Sequence, residues 1–532
     1  MTKLIVDPIT RIEGHLKIEV TLENGKVVDA KSCGTMFRGI ETLMEGRHPM
    51  DAPTISQRVC GVCPTSHSVA SNLALEDAFG FLNKVPENGR ILRNIVQGWN
   101  FLQSHIVHFF HLAALDYVDV TAVAGYTGND PALQKVAAFI KRATDASDMN
   151  MLSIFYPRYE GDYRLSKDIN IKATGDYVRA LEARRICHEA HAMFTGKMPH
   201  GVGIVPGGVT CKPTVENINR AITRLSQVRD FIDNCYIPDV LAVAEAYKDD
   251  GFSQGQGCGN FISFGVFDEE ASGTNLDIRK RLFNQGIISI GDLSKVGSFD
   301  HTKITESANV AWYKDSAAVF PLDGNSLTNI TKSEAYSWCK EPRYDGAVYE
   351  PGPLARMVIN YVNGDKTVQT AVNNVLSLFG APITALFSTL GRHAARALEA
   401  KIVADKMAEW LLQLTPSAQT VHEYVVADDL PQKADGVGLW EAPRGAISHW
   451  CKIDNGVISN YQIITPSSWH ASGKDASGQC GPIEQSLMGT TVKDINNPFE
   501  LVRIVRAFDP CLACAVHIIK PNGETLGKFR VA

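Results

Sequence analysis

The sequence has no long apolar run and no excess of either charge. None of its apolar stretches reaches the roughly 18 residues that a membrane-spanning helix needs, so we expect no membrane span. The 52 Lys and Arg residues stand against 58 Asp and Glu, and the net charge of −6 offers no broad basic surface for nucleic acid. Low-complexity tracts, blocks of like charge and internal repeats are also missing. A globular chain of 532 residues with a large core is the remaining class.

The N-terminus lacks the pattern of a secretory signal. Its first residues, MTKLIVDPITRIEGH, hold a short apolar patch and then charges, without a longer apolar region or a small-residue cleavage site. We therefore expect a cytoplasmic chain, unless a partner carries it across a membrane. Of the 12 cysteines, eight are isolated. In a large chain without a signal, isolated cysteines are typical of buried packing residues rather than of a disulfide framework.

Alternating apolar and polar residues predict antiparallel hairpins towards both ends of the chain. Their turns fall at Asn24-Gly25, Asn455-Gly456 and Asn522-Gly523. Between them, apolar residues at helical spacing predict helices over 68–82, 88–115, 215–247 with an interruption at Pro238, 366–379 and 391–414. We predict a mainly α fold with peripheral antiparallel β structure (α+β). It comprises a hairpin region at about 1–35, a helical core at about 65–415 and a β-rich part at about 440–517.

Two Cys-x-x-Cys pairs carry the chemistry. Cys60 and Cys63 lie in RVCGVCPTSH, and Cys511 and Cys514 lie in DPCLACAVH. Two intervening residues let both sulfurs of a pair reach one metal from a single turn. Gly61, inside the first pair, is expected to permit a tight backbone approach. Together the pairs offer four thiolates.

Spacing alone leaves the occupant of four thiolates open. A structural zinc is commonly bound by four cysteines, but zinc pairs usually lie within tens of residues, and here 448 positions separate Cys63 from Cys511. A redox metal site or iron–sulfur cluster also suits four thiolates. A redox dithiol is a third possibility, although neither pair lies in a thioredoxin-like βαβ pattern.

Five blocks of sequence resemble, in this order, the signatures of nickel–iron hydrogenase large subunits. They are RIEGH (11–15), FRGIE (37–41), RVCGVCPTSH (58–67), APRG (442–445) and DPCLACAVH (509–517). The segments 199–210, 351–357 and 388–396 are also similar, so the resemblance spans essentially the whole chain. Relatives in respiratory complex I share the fold but lack these cysteines. The resemblance implies the family's large helical-bundle core within one domain over 1–517.

The resemblance also implies a metal centre and its ligands. All four cysteines would bind nickel, Cys60 and Cys511 as terminal ligands and Cys63 and Cys514 as bridges to a low-spin iron. That iron would carry carbon monoxide and cyanide. Soft thiolates suit a late transition metal that must change redox state.

Residues that handle the proton follow from the same resemblance. Dihydrogen is a very weak acid, so splitting it needs a hydride acceptor and a base close together. The base would be the terminal thiolate of Cys511 or the guanidine of Arg444, which the family places above the vacant metal position. Taken alone, Arg444 is more typical of a structural salt bridge. Glu13 would relay the proton onward, although a lone glutamate is usually solvated.

Two features of the helix predicted over 88–115 bear on the metal centre that the resemblance implies. Many uptake-type relatives have Asp at the position aligned with Ser104, so hydrogen bonding around Arg444 would differ here, with Asp509 left to pair with it. The same helix carries His105, His108 and His111. On a helix this apolar we expect these histidines to be packing or hydrogen-bonded residues rather than metal ligands.

A magnesium ion is implied by Glu41 and His517, with a backbone carbonyl near Ile463 as a further contact. A carboxylate is a natural ligand for this hard cation, and waters complete its shell. The family's endopeptidase would cut just after His517 once nickel-insertion factors have acted, removing 518–532 as a propeptide.

The predicted activity is the reversible conversion of H₂ to protons and electrons, as in respiratory uptake enzymes. No further cysteine cluster offers an electron relay, so an iron–sulfur small subunit is implied. Such a partner usually bears the export signal, which would place both chains in the periplasm or at the periplasmic face of the membrane. The alternative is a non-catalytic subunit of a respiratory complex with a four-cysteine zinc site.

Overall fold

A computed structural model describes residues 1–145, 161–270, 279–290, 292–314, 316–423 and 430–515. Its α-helices are α1 Ile40–Met44, α2 Ala52–Ser56, α3 Pro64–Ala78, α4 Glu87–Val107, α5 Pro131–Asp145, α6 Lys167–Thr195, α7 Val215–Phe231, α8 Ile237–Gly251, α9 Pro353–Val362, α10 Lys366–Phe379, α11 Thr389–Gln413, α12 Pro466–His470, α13 Pro482–Leu487, α14 Phe499–Ala507 and α15 Leu512–Ala515. Its strands are β1 Thr2–Val6, β2 Leu16–Glu23, β3 Lys26–Gly34, β4 Ile204–Val205, β5 Gly208–Val209, β6 Phe261–Ser263, β7 Val266–Asp268, β8 Arg281–Phe283, β9 Gly286–Ile288, β10 Ile304–Ser307, β11 Glu341–Tyr344, β12 Lys433–Ala442, β13 Gly445–Asp454 and β14 Val457–Ile464.

Long helices form the centre of the molecule. Helix α4 packs against α6 and α11, and α11 also packs against α7, α8 and α9. Nearly every residue of α4 is buried, as its apolar surface predicts. It continues through a π-helical turn, His108–Ala113, and a short 3-10 turn, so the helix predicted over 88–115 is confirmed with an irregular end. None of the described helices is both long and apolar enough to cross a membrane.

Helix boundaries differ from the predictions where proline is involved. Helix α3 begins at Pro64 rather than at residue 68, because proline fits the first turn of a helix, where its missing N–H costs nothing. The helical stretch over 215–247 is not broken at Pro238. A π-helical turn, Ile232–Tyr236, joins α7 to α8, and Pro238 lies in the first turn of α8. The helix predicted over 366–379 has those bounds.

Two three-stranded antiparallel sheets lie towards the ends of the described chain, in the orders β1-β2-β3 and β12-β13-β14. Asn24 and Gly25 connect β2 to β3 with φ of 51° and 76°, and Asn455 and Gly456 connect β13 to β14 with φ of 53° and 73°. Positive φ at both central residues is the geometry of the predicted tight hairpin turns. The third predicted hairpin lies outside the described residues.

Helix α3 lies directly on strand β12. A Cβ atom at Gly436 or Gly438 would come within 2.0 or 1.9 Å of the carbonyl oxygens of Ala74 and Ala70 on the helix. Only glycine at these positions allows the two backbones to approach so closely. This packing places the loop before α3, which carries the first cysteine pair, near the turn between β12 and β13.

A buried network of charged side chains ties the helical core to this sheet. Arg356 on α9 pairs with Glu399 on α11 and with Glu441 on β12, and all three are fully buried. His105 Nε2 lies 2.8 Å from Glu399 Oε2. Because an unpaired buried charge is costly, the network fixes the three elements relative to one another.

Candidate metal centre

Three of the four predicted metal-binding thiols lie together. Cys60 and Cys63 are in the loop before α3, and Cys511 directly precedes α15. Their sulfur atoms lie within 4.8 Å of one another, and Cys60 Sγ and Cys511 Sγ are 3.3 Å apart. Among the residues that the structure describes, no other three His, Cys, Asp or Glu side chains are grouped this closely. Cys514 belongs to α15, but its side chain is outside the described residues.

Backbone amides support the first pair. The N–H groups of Val62 and Cys63 donate to Cys60 Sγ at 3.2 and 3.3 Å. Such donors stabilise a thiolate, the form that binds a metal. The tight approach expected at Gly61 is not found, because a Cβ atom there would meet no atom of the described chain within 4 Å.

The thiol cluster fits a metal ion. The three cysteines are buried and form no disulfide. Buried thiols enclosed by protein, with backbone donors already aimed at one sulfur, form a soft donor set that suits nickel, iron or zinc. The donor set therefore supports a metal centre without choosing among these metals.

Glu13 lies against Cys511. The Cys511 thiol donates to Glu13 Oε2 at 3.1 Å, and the Ala513 N–H donates to the same oxygen at 3.0 Å. Burial raises the pKa of Glu13 to about 7, and the negative charge of the Cys60 thiolate acts in the same direction. A carboxyl group with this pKa, in contact with the thiol, is suited to exchanging a proton with it.

Gly14 allows the N-terminal segment to lie against the segment that carries Cys511. It has φ of +82°, and a Cβ atom there would lie 2.4 Å from the backbone nitrogen of Ala513. Next to it, the Leu512 N–H donates to the Glu13 carbonyl at 2.7 Å. Sequence reasoning gave Gly14 no role, although its place beside Glu13 in the RIEGH block was a signal.

Arg444 occupies the turn between β12 and β13 and is buried. Its Nη2 donates to Asp509 Oδ1 at 2.8 Å, its Nε to the Asp509 carbonyl at 2.9 Å, and its Nη1 to Ser104 Oγ at 3.3 Å. Burial lowers the pKa of Arg444, but Asp509 and the thiolates of Cys511, Cys63 and Cys60 raise it, and the net value lies well above the usual range. The guanidinium is therefore a fixed positive charge beside the thiols.

The three histidines of the α4 region each have a separate hydrogen-bond partner. These are Glu399 for His105, the Arg506 carbonyl for His108 and the Tyr177 carbonyl for His111. They do not converge on a common point, and their hydrogen-bonded, packed positions agree with the expectation for this helix.

Glu41 lies in a separate polar cluster. Its Oε1 accepts a hydrogen bond from the Ile463 N–H at 2.9 Å. The backbone carbonyl near Ile463 stays a predicted contact of the magnesium ion. The Ser326 hydroxyl donates to Oε2, and Lys340 Nζ lies 3.7 Å from the same oxygen. His517 lies outside the described residues. Sequence reasoning missed Ser326 and Lys340, which no local motif marks.

Comparisons with known proteins identify the family of the chain. The family model described as nickel-dependent hydrogenase matches residues 38–517, and one described as HoxL-like matches residues 3–33. The periplasmic NiFeSe hydrogenase large subunit of Desulfomicrobium baculatum is 40% identical, with 97% of this chain and 95% of that protein covered. The Hydrogenase-1 large chain of Escherichia coli K12 is 34% identical, with 99% and 97% covered. The solved NiFeSe hydrogenase of D. vulgaris Hildenborough, in its reduced state, has a TM-score of 0.84 and 42% identity, with 97% of this chain and 100% of that chain covered.

The fold is that of a nickel-dependent hydrogenase, and the chain belongs to that family. More particularly, it is a hydrogenase large subunit, the catalytic chain of an oxidoreductase that acts on H₂. Membership implies a nickel–iron centre and a small subunit as partner. The predicted family, fold and activity are confirmed, and the alternative of a non-catalytic zinc subunit is set aside.

Proposed function

We propose that four cysteines hold the nickel–iron centre, with Cys60 and Cys511 as terminal nickel ligands and Cys63 and Cys514 as bridges to iron. The observation that carries this proposal is the buried cluster of three thiols, with Glu13 in contact with Cys511 and the Arg444 guanidinium near enough to interact with the charges of all three. The family resemblance adds carbon monoxide and cyanide on iron. When bound, the centre supplies the place where H₂ is split and its electrons are taken up.

The geometry favours the Cys511 thiolate over Arg444 as the first proton acceptor. All three nitrogens of Arg444 donate hydrogen bonds, and the nearby negative charges keep it protonated, so it has no free lone pair to act as a base. Cys511 is instead 3.1 Å from Glu13, which can receive the proton next. The Ala513 N–H holds the receiving oxygen in place.

We assign Arg444 and Asp509 to positioning and charge balance beside the thiols that would hold the metals. The neutral Ser104 hydroxyl contacts the Arg444 guanidinium. By the family resemblance, many uptake-type relatives have an Asp carboxylate at this position. Asp509 then supplies the nearest carboxylate among the contacts of Arg444. With Ser instead of Asp at position 104, the positive charge of Arg444 beside the thiols is balanced by one fewer carboxylate.

A magnesium site at Glu41, the Ile463 backbone and His517 remains a proposal from the resemblance. In the described part of the chain, both oxygens of Glu41 are engaged, and the Lys340 ammonium already lies beside them. A magnesium ion would therefore compete with Lys340 for the Glu41 carboxylate. If magnesium binds, Lys340→Gln should raise its occupancy on elemental analysis. Absence of magnesium from both proteins would reject the site.

We further propose that electrons leave to an iron–sulfur small subunit and that both chains work in the periplasm, the location named for the Desulfomicrobium baculatum relative. Residues 1–517 would form the working domain. Nickel-insertion factors would load the metal, and an endopeptidase would then remove 518–532. Intact mass of the nickel-loaded enzyme tests this processing, and a retained tail in active enzyme would reject it.

Elemental analysis tests the metal assignment directly. In the anaerobically purified heterodimer we expect nickel equimolar with the large subunit, with infrared bands of iron-bound carbon monoxide and cyanide. We expect no selenium, although relatives carry it in their names, because the chain has cysteine at these positions. Cys60→Ser should lose nickel, whereas Cys258→Ser, at a buried cysteine hydrogen-bonded to the Asn260 carbonyl, should keep it. Zinc in place of nickel would overturn the proposal.

A further inference from the structure

A small cavity beside helix α4 is lined by buried arginine side chains. It has a volume of about 10 Å³, and one water molecule needs roughly 10–15 Å³. Its polar and aromatic lining consists of Arg90, Arg93 and Asn94 on α4, Asp268 at the end of β7, Arg279 just before β8, and Trp440 on β12. Apolar side chains of α3 and of the loop after it complete the lining. The cavity therefore has room for a single small group.

Two of the lining side chains have hydrogen-bond donors without an acceptor. Arg279 is only 7% exposed, and its Nε and Nη1 have no hydrogen-bond partner within the described part of the chain. The buried Nε1 of Trp440 has no partner among these residues either. No buried acceptor of the described lining is left in this state. Because guanidinium and indole nitrogens can only donate, and buried donors without a partner are costly, the cavity is suited to an acceptor.

One carboxylate serves two guanidinium groups at this cavity. Asp268 Oδ2 lies 2.7 Å from Arg279 Nη2, and Asp268 Oδ1 lies 2.9 Å from Arg281 Nε. Burial lowers the pKa of Arg281, Asp268 opposes this shift, and the positive charge of Arg279 adds to it. Glu441 also acts on Arg281, but it is already paired with Arg356. One buried positive charge is therefore left without a counter-charge of its own.

The other two guanidinium groups of the lining are already balanced. Arg90 pairs with Glu87, and Arg93 pairs with Glu76, so neither pair has negative charge to spare for Arg279. The Glu87 side chain is 62% exposed, which brings solvent close to this end of the cluster. The imbalance of charge is thus confined to the side of the cavity where the donors without partners lie.

We propose that this cavity binds one small monovalent anion of halide size, such as chloride, through the free donors of Arg279 and the Trp440 N–H. The ion accepts the hydrogen bonds that these donors lack and supplies the missing negative charge. Water meets only the first need, and sulfate or phosphate is too large for the space. A guanidinium is weakly hydrated, so it gives up little solvation to bind such an ion. The site is independent of the metal assignment, because no cysteine takes part in it.

Two measurements on the purified large–small heterodimer test the site. Crystals soaked in bromide report the position of the ion, because bromide replaces chloride and scatters anomalously. Melting temperatures over a range of chloride concentrations report its affinity, with gluconate, which is too large for the cavity, holding the ionic strength constant.

Three variants are compared with the wild type. Arg279→Gln removes the unbalanced charge. Trp440→Phe removes only the indole N–H and keeps an aromatic ring beneath the Arg281 guanidinium, which lies 5.1 Å from the ring centroid. Trp99→Phe is the matched control, because the buried Trp99 Nε1 also has no partner among the described residues, but Trp99 does not line the cavity.

We expect a bromide peak within hydrogen-bond distance of the Arg279 and Trp440 donors and a melting temperature that rises with chloride. Arg279→Gln should lose both, and Trp440→Phe should weaken chloride binding about tenfold, with Trp99→Phe at the wild-type level. A wild-type cavity that holds only water, a melting temperature independent of chloride, or equal affinity in the two Trp variants would each overturn the proposal. Bromide that occupies the cavity equally in Arg279→Gln would be an adventitious ion only and would also overturn it.

Discussion

Replacing Glu13 with Gln removes proton transfer while preserving shape. The amide oxygen of Gln can still accept the hydrogen bond that the Ala513 N–H donates at 3.0 Å. The amide cannot take up a proton near neutral pH, whereas burial raises the pKa of Glu13 to about 7. The variant should therefore fold and bind nickel, but it should fail to pass protons from Cys511.

The expected loss follows from the role of a positioned proton acceptor. Groups of this kind contribute about 10²–10⁴-fold to rate, which corresponds to about 3–5 kcal/mol of activation free energy. Glu13 is the carboxyl group in contact with the Cys511 thiol, so we expect turnover to fall across this range. Two assays report it: hydrogen-dependent dye reduction and isotope exchange between H₂ and deuterated water.

Glu23→Gln is the matched control, because Glu23 is an exposed glutamate at the end of β2 and should tolerate the same change. Nickel analysis accompanies both variants. Wild-type turnover in Glu13→Gln would refute the relay. A loss of nickel in proportion to activity would show instead that Glu13 serves only to hold the C-terminal segment.

Three further substitutions test the surrounding structure. Arg444→Lys loses the two-point contact with Asp509, so turnover should fall and stability should drop by about 1–3 kcal/mol; an unchanged melting temperature would contradict this. Gly14→Ala puts a methyl group 2.4 Å from the Ala513 nitrogen, and we expect a loss of about 1–3 kcal/mol with lower nickel content. Wild-type nickel content would show that this contact can relax. Glu399→Gln weakens the buried ion network and should cost about 3 kcal/mol in denaturant unfolding, whereas a negligible change would show that the network is not stabilising.

The sequence allowed the local features to be predicted, because their signals lie within a few residues. The Asn-Gly turns show this, since each dipeptide favours the positive φ that the hairpin needs. The long buried helix α4 was recognisable from its apolar surface. Likewise, the two cysteine pairs carry their spacing within single motifs, although only the neighbouring blocks identified the family.

Contacts between distant segments could not be predicted in the same way. Glu41 meets Lys340 and Ser326 across almost three hundred residues of sequence, and no periodicity records such a meeting. His67 and His449 are also distant in sequence. They come into contact because Gly436 and Gly438 of β12 allow α3 to pack closely on the sheet. The early start of α3 at Pro64 was missed because a serine cap further on gave a competing helix signal.

The contact of residues 13 and 14 with the segment from Pro510 to Ala513 has a consequence for biosynthesis. On the ribosome, Cys63 emerges 448 residues before Cys511. At about 5–20 residues per second, the first pair waits roughly 20–90 s for its counterpart. During that interval the two thiols of the first pair, which are buried in the folded chain, lack the Cys511 segment that packs against them. If they bind the metal as proposed, they would have to stay reduced and free of other metals until translation is nearly complete.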